Sequence, residues 1–131
     1  MQQPVFLDDD DPLPPTSAAL GPGSQAPGLL AVGGVLPPER LQAAYSRGVF
    51  PWFSEGQPVL WWSPDPRMVL PTQAFKLTRS MRKTLKRFLL APGCEVRVDT
   101  AFDRVILACA ATPRHGHHGT WILPPMVAAY Q

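Results

Sequence analysis

The sequence is short of cysteine, of long apolar runs and of phosphate-cradling glycine patterns, and each shortage removes a class of function. Two cysteines, Cys94 and Cys109, cannot build a disulfide framework, and no CxxC pair offers a zinc site. Both lie among apolar residues, where a cysteine is expected as a small buried hydrophobe. No stretch is long and apolar enough to span a bilayer. The opening residues MQQPVFLDDDD lack the basic and apolar regions of a signal peptide, so the expected setting is cytoplasmic, without a membrane partner. Gly33-Gly34 and Gly21-Pro22-Gly23 match neither a P-loop nor GxGxxG. No Ser-His-Asp set or carboxylate pair can be assembled, and Asp65, between two prolines and beside Arg67, reads as part of a turn. No cofactor is implied.

Acid is also scarce in the body of the chain. Residues 1–39 hold five acids and no Lys or Arg, whereas residues 40–131 hold 12 basic and five acidic residues. The overall charge of +2 therefore joins an acidic front to a body of +7, a balance that favours a polyanionic partner through counterion release.

What is abundant is proline, with 17 residues, and the 10 glycines add to it. Residues 1–27 read as a disordered leader, because the Asp8–Asp11 run repels itself and the Pro/Gly/Ser/Ala mixture buries too little surface to offset its ordering entropy. Order is expected from Gly28–Val32, ending at Gly33 and Gly34. Pro37-Pro38-Glu39 predicts a helix start, Leu41, Ala44 and Tyr45 give it one apolar stripe, and Gly48 stops it. Val59–Trp62 and Met68–Leu70 are expected as short strands around Ser63-Pro64-Asp65-Pro66. Thr78 or Ser80 would cap a helix to about Leu90, with Met81, Leu85 and Phe88 as its apolar stripe. Glu95–Val98 alternates like a strand. Asp99 or Thr100 would cap a helix with Phe102, Val105, Ile106 and Cys109 on its core face, and Pro124-Pro125 opens a last helix. The order predicts an α+β (α/β-like) fold with too few strands to complete its own sheet.

Two constellations stand out. Three of the four tryptophans fall between Trp52 and Trp62, within Val49–Phe53 and Leu60–Trp62. Such rings serve either as core or as a surface on which a base and an apolar side chain can stack, and composition leaves both readings open. Six of the 12 basic residues fall within Lys76–Arg87 with no acid among them. On a helix Arg79, Lys83, Lys86 and Arg87 share a broad face, suited to phosphate contact or simply to solvation. His115, His117 and His118 have neither nearby cysteine nor HxxxH spacing, so they are read as a solvent loop and no metal is assigned.

The blocks Gly28–Gly34, Glu39-Arg40-Leu41 with Ala44-Tyr45, Gly48–Phe53, Leu60–Arg67, Arg79-Ser80-Met81 and Gly119–Ile122 together resemble the leucyl/phenylalanyl-tRNA–protein transferase family, in the family's order, over about residues 28–131. The resemblance implies a small N-terminal lobe (28–70), preceded by the leader, and the beginning of a GNAT-like acyltransferase domain (71–131) whose sheet is incomplete. It implies a monomeric cytoplasmic enzyme that moves Leu or Phe, and less readily Met, from aminoacyl-tRNA to the α-amine of proteins beginning with Arg or Lys, marking them for N-end-rule degradation. By position, Trp52 and Trp121 resemble tryptophans at the family's aminoacyl-adenosine site, and Tyr45 and Tyr130 match tyrosines near it. Arg79, Lys83, Lys86 and Arg87 match a cluster that grips tRNA. Val35 replaces a usual Asp, and Leu123 a usual Thr. Catalytic residues are expected beyond Gln131. The alternatives are a non-catalytic tRNA-binding fragment and a coenzyme A acyltransferase, although the pyrophosphate loop of the latter is not seen.

Overall fold

The computed structural model describes residues 3–113 and 120–131. It divides into two compact units, one formed by Met1–Pro66 with Asp103–Gln131 and the other by Arg67–Phe102.

The first unit is organised by a four-stranded mixed sheet. Its strands are β1 (Val5–Leu7), β2 (Leu29–Gly33), β3 (Phe50–Pro51) and β4 (Leu60–Trp62), in the order β1-β2-β4-β3. β1 runs parallel to β2, while β4 pairs antiparallel with both β2 and β3. Helix α1 (Pro38–Ser46) connects β2 to β3. Pro38 occupies its first turn with Glu39 behind it, where a missing N–H costs nothing and a carboxylate complements the helix dipole. At its far end Gly48, at φ +72°, lets its own N–H reach Tyr45 O (3.1 Å) and that of Val49 reach Ala44 O (2.9 Å), which is a Schellman closure. Leu41 and Ala44 of α1 pack with Leu7, Leu30, Ala31, Val49 and Trp61 as the core. Helices α3 (Phe102–Ala111) and α4 (Pro124–Tyr130) complete the unit, and Met126 of α4 is fully buried.

The sheet corrects one expectation. Residues 1–27 were expected to lack order, yet Val5-Phe6-Leu7 adds a strand to the sheet and Leu7 and Leu20 are buried. Two arginines supply the reason. Arg40 donates from Nη2 to the carbonyls of Asp9 and Asp11 (2.6 Å each) and from Nη1 to that of Val35 (3.2 Å). Arg47 donates to those of Leu13 (3.1 Å) and Pro14 (2.5 Å). The Asp11 N–H turns back to the Asp8 carbonyl at 3.2 Å, while the carbonyls of Asp9, Asp11, Leu13 and Pro14 are satisfied by these arginine donors from elsewhere in the chain.

The second unit holds helix α2 (Arg79–Leu90), whose Thr78 hydroxyl accepts from the Met81 N–H at 3.2 Å, so that of the two caps the sequence offers, Thr78 and Ser80, it is Thr78 that closes the helix. Neither Met68–Leu70 nor Glu95–Val98 is a strand. Met68, Val69, Leu70, Val96 and Val98 are all exposed, and among the described residues the sheet takes no strand from 67–102. A strand without a partner edge leaves its backbone groups to water, and alternation alone cannot hold it. Glu95 instead pairs with Arg97 on the surface.

The α3 face is also narrower than its pattern predicts. Only Ile106 is buried, while Phe102, Val105 and Cys109 are exposed. Cys94, after the end of α2, is exposed too, so neither thiol is the buried hydrophobe expected. The core of the first unit is filled by α1 against the sheet, with Ala129 of α4 packed on it.

Candidate functional site

The β3–β4 hairpin sorts the aromatic block by strand parity. Phe50 lies opposite Trp62 and Pro51 opposite Trp61, and the Trp52 N–H then donates to the Leu60 carbonyl at 2.9 Å. Alternate side chains point to opposite faces of the sheet. Val49, Pro51, Phe53 and Trp61 are consequently buried, while Phe50, Leu60 and Trp62 are half-buried and Trp52 is exposed. Pro51 is tolerated because β3 is an edge strand, with no further strand to serve among the described residues.

The two open readings of the tryptophans thus divide between residues. Trp61 is core at 0% exposure, and its Nε1–H donates to the Gly33 carbonyl at 3.1 Å. Trp52 is 55% exposed, on the opposite face. Its ring meets that of Trp62 at 6.0 Å between centroids, tilted by 53°. The sequence pattern does not single out Trp62. Its signal is the diagonal spacing across a hairpin, which brings large rings within reach, and it becomes visible only once the register is known.

Tyr45, on the last turn of α1, and Tyr130, on α4, are brought together. Their rings stack at 6.2 Å and 29°, and their hydroxyls are hydrogen-bonded. Partial burial raises the Tyr45 phenol above its ordinary value, because desolvation penalises the phenolate. Trp121, 37% exposed, lies just ahead of α4, where the Thr120 hydroxyl accepts from the Ile122 N–H at 3.1 Å. It enters neither ring pair.

On α2, Arg79, Lys83, Lys86 and Arg87 are exposed, and among the described residues none has a carboxylate partner. Unpaired like charges on one helix repel one another, and an anion would relieve that repulsion. Met81 and Leu85 of the other stripe are exposed as well. His115, His117 and His118 lie outside the described residues; among those described, no cluster of three or more His, Cys, Asp or Glu could hold a metal ion. No helix is long and apolar enough to cross a membrane among the described residues.

Comparison with known proteins bears on what such a surface is for. Residues 34–65 match the family model for the leucyl/phenylalanyl-tRNA protein transferase N-terminal domain, and residues 69–131 match the model for leucyl/phenylalanyl-tRNA protein transferase. Proteins named leucyl/phenylalanyl-tRNA--protein transferase are similar along nearly the whole chain. That of Methylibium petroleiphilum is 64% identical over 121 residues, covering 92% of this chain and 46% of the relative. That of Leptothrix cholodnii is 60% identical over 129 residues, covering 97% and 50%. That of Albidiferax ferrireducens is 57% identical over 125 residues, covering 95% and 49%. The chain spans about half the length of the curated relatives it matches.

Proposed function

The chain belongs to the leucyl/phenylalanyl-tRNA–protein transferase family, and from that premise we propose that it holds the aminoacyl-tRNA in an aminoacyl transfer. The donor is a tRNA charged with Leu or Phe, and less readily Met. The acceptor is a protein beginning with Arg or Lys, which the transfer marks for N-end-rule degradation in the cytoplasm.

In the reaction, the acceptor's neutral α-amine attacks the ester carbonyl of the aminoacyl-tRNA. A C–N amide bond forms, the ester C–O bond breaks, and the terminal ribose hydroxyl leaves with the proton given up by the amine. An aminoacyl ester is already activated, so positioning the two substrates supplies much of the rate and no covalent enzyme intermediate is needed. Trp52 and Trp121 offer ring faces to the terminal adenosine and the apolar side chain, with the Tyr45–Tyr130 pair beside that site. Arg79, Lys83, Lys86 and Arg87 hold phosphates of the tRNA body. No catalytic residue is assigned within the chain, whose proposed part is that of holding the donor.

The observation that carries this reading is the exposure of Trp52 beside a fully buried Trp61. A large ring left to water while its neighbours are buried is a poor way to build a core and a good way to stack on a base. A second reading, tRNA binding without turnover, is favoured by α2, where Arg79, Lys83, Lys86 and Arg87 are exposed and without a carboxylate partner among the described residues. One experiment separates them: binding of Phe-tRNA and transfer of its labelled Phe to a peptide beginning with Arg, measured together. Transfer supports the first reading, and binding without transfer the second. Neither binding nor transfer overturns both.

A further inference from the structure

We infer that Trp62 is a positioning residue, which fixes the Trp52 ring as a one-sided platform through an indole-to-backbone hydrogen bond. The inference rests on the proposal that Trp52 stacks on the aminoacyl-adenosine end, and it names what holds that ring in place.

β3 ends at Pro51, so Trp52 stands one residue past the ladder. Its N–H is taken by the Leu60 carbonyl at 2.9 Å. Its carbonyl accepts from the Trp62 indole N–H at 2.7 Å. Both backbone polar groups of an out-of-strand residue are therefore fixed, the second by a side chain that stands in for a ladder donor. Trp62 is well placed to do this. Its strand, β4, lies between β2 and β3, with Trp62 opposite Leu29 on one side and Phe50 on the other. The next residue donates from Ser63 N to the Gly28 carbonyl at 2.7 Å. The anchor is thus held by three strands, while the platform extends beyond the edge strand.

The same side chain supports the ring itself. Trp62 meets Trp52 at a tilt, 6.0 Å and 53°, and is half-buried where Trp52 is 55% exposed. One side of Trp52 is thereby occupied and the rest left open. A ring fixed before binding loses less entropy when a base stacks on it, so removing the indole N–H should weaken stacking while every group that touches the ligand stays in place.

The test uses the 131-residue chain and a non-hydrolysable probe, a 3′-amide-linked phenylalanyl-adenosine. Binding is measured for the wild type, Trp62→Phe, Trp52→Ala and the double variant, with unfolding midpoints alongside. Trp62→Phe keeps an aromatic ring and loses the donor. It is expected to weaken binding about five- to tenfold, the worth of one hydrogen bond. In the Trp52→Ala background the same change is expected to have almost no effect, because Trp62 then has no platform to position. A merely structural role would weaken binding by the same factor in both backgrounds, and that result overturns the inference. Equal binding by wild type and Trp62→Phe also overturns it, leaving the stacking role of Trp52 intact. If Trp52→Ala binds as the wild type does, or the wild type does not bind, the stacking proposal fails and the inference falls with it.

Discussion

Gly33→Ala should loosen the N-terminal strand from the sheet, and the structure gives both the mechanism and a scale. Gly33 ends β2 at φ +99°, a conformation that costs an L-residue about 1–2 kcal/mol. A Cβ there would sit 2.6 Å from the Leu7 carbonyl oxygen, which is backbone and cannot rotate away. β1 must shift, and with it Leu7, which is 9% exposed in the core. Uncovering a leucine costs about 1.5–3 kcal/mol, so the expected total is roughly 2.5–5 kcal/mol. Part of this falls away if β1 detaches rather than strains, because the Arg40 and Arg47 hydrogen bonds still tether the segment after it. Urea denaturation of the variant provides the measurement, with Gly23→Ala as control. Gly23 has nothing within 4 Å of a built Cβ, and its substitution should change stability by less than about 1 kcal/mol. Because both changes act on one strand, Leu7→Ala should cost less in the Gly33→Ala background than in the wild type. A Gly33→Ala midpoint within about 0.5 kcal/mol of wild type would refute the reasoning, since surface changes alone give that much.

Lys86→Ala with Arg87→Ala should weaken tRNA binding and lower its salt slope by up to about two, one for each phosphate no longer neutralised; an unchanged slope would return that face of α2 to simple solvation. Phenolate absorbance offers a second check, because Tyr45 and Tyr130 are the only tyrosines. Tyr45 has a raised phenol in the fold, so the neutral form is favoured there, and its contribution to stability is full below the unfolded value of about 10 and lost as pH rises through the folded one. The native midpoint of Tyr45, read in a Tyr130→Phe variant, should lie above that of the same chain in denaturant, and coincident midpoints would contradict the burial argument.

Local chemistry is the legible part of this sequence. The proline start and glycine stop of α1, the Thr78 cap of α2 and the Pro124 start of α4 each depend on a few adjacent residues, and each stands where the pattern puts it. The elements that differ from expectation need distant partners. Glu95–Val98 has the alternation of a strand but pairs with no strand among the described residues, and Val5–Leu7 is a strand because β2 receives it while two arginines tether the segment that follows. The apolar spacing of α3 is helical as expected, yet spacing does not tell how many of its positions another surface will cover. The site divides in the same way. The aromatic block is plain in the sequence, but the assignment of Trp61 to the core and Trp52 to the surface follows from hairpin register, which moves every side chain to the other face if it slips by one residue. Trp62 is hidden from the sequence for the same reason.

Central to all of this is the proposal that Trp52 is kept at the surface to receive the aminoacyl end of a tRNA, and the affinity of Trp52→Ala for Phe-tRNA tests it most directly. Base stacking is worth about 1–3 kcal/mol, so the variant should bind roughly five- to hundredfold more weakly at fixed salt. Its urea midpoint should barely move, since the ring is 55% exposed. Trp61→Phe, which loses a buried indole and its bond to Gly33, should show the reverse pattern of lower stability with affinity retained in the folded fraction. Unchanged affinity in Trp52→Ala, with the chain folded, would contradict the claim.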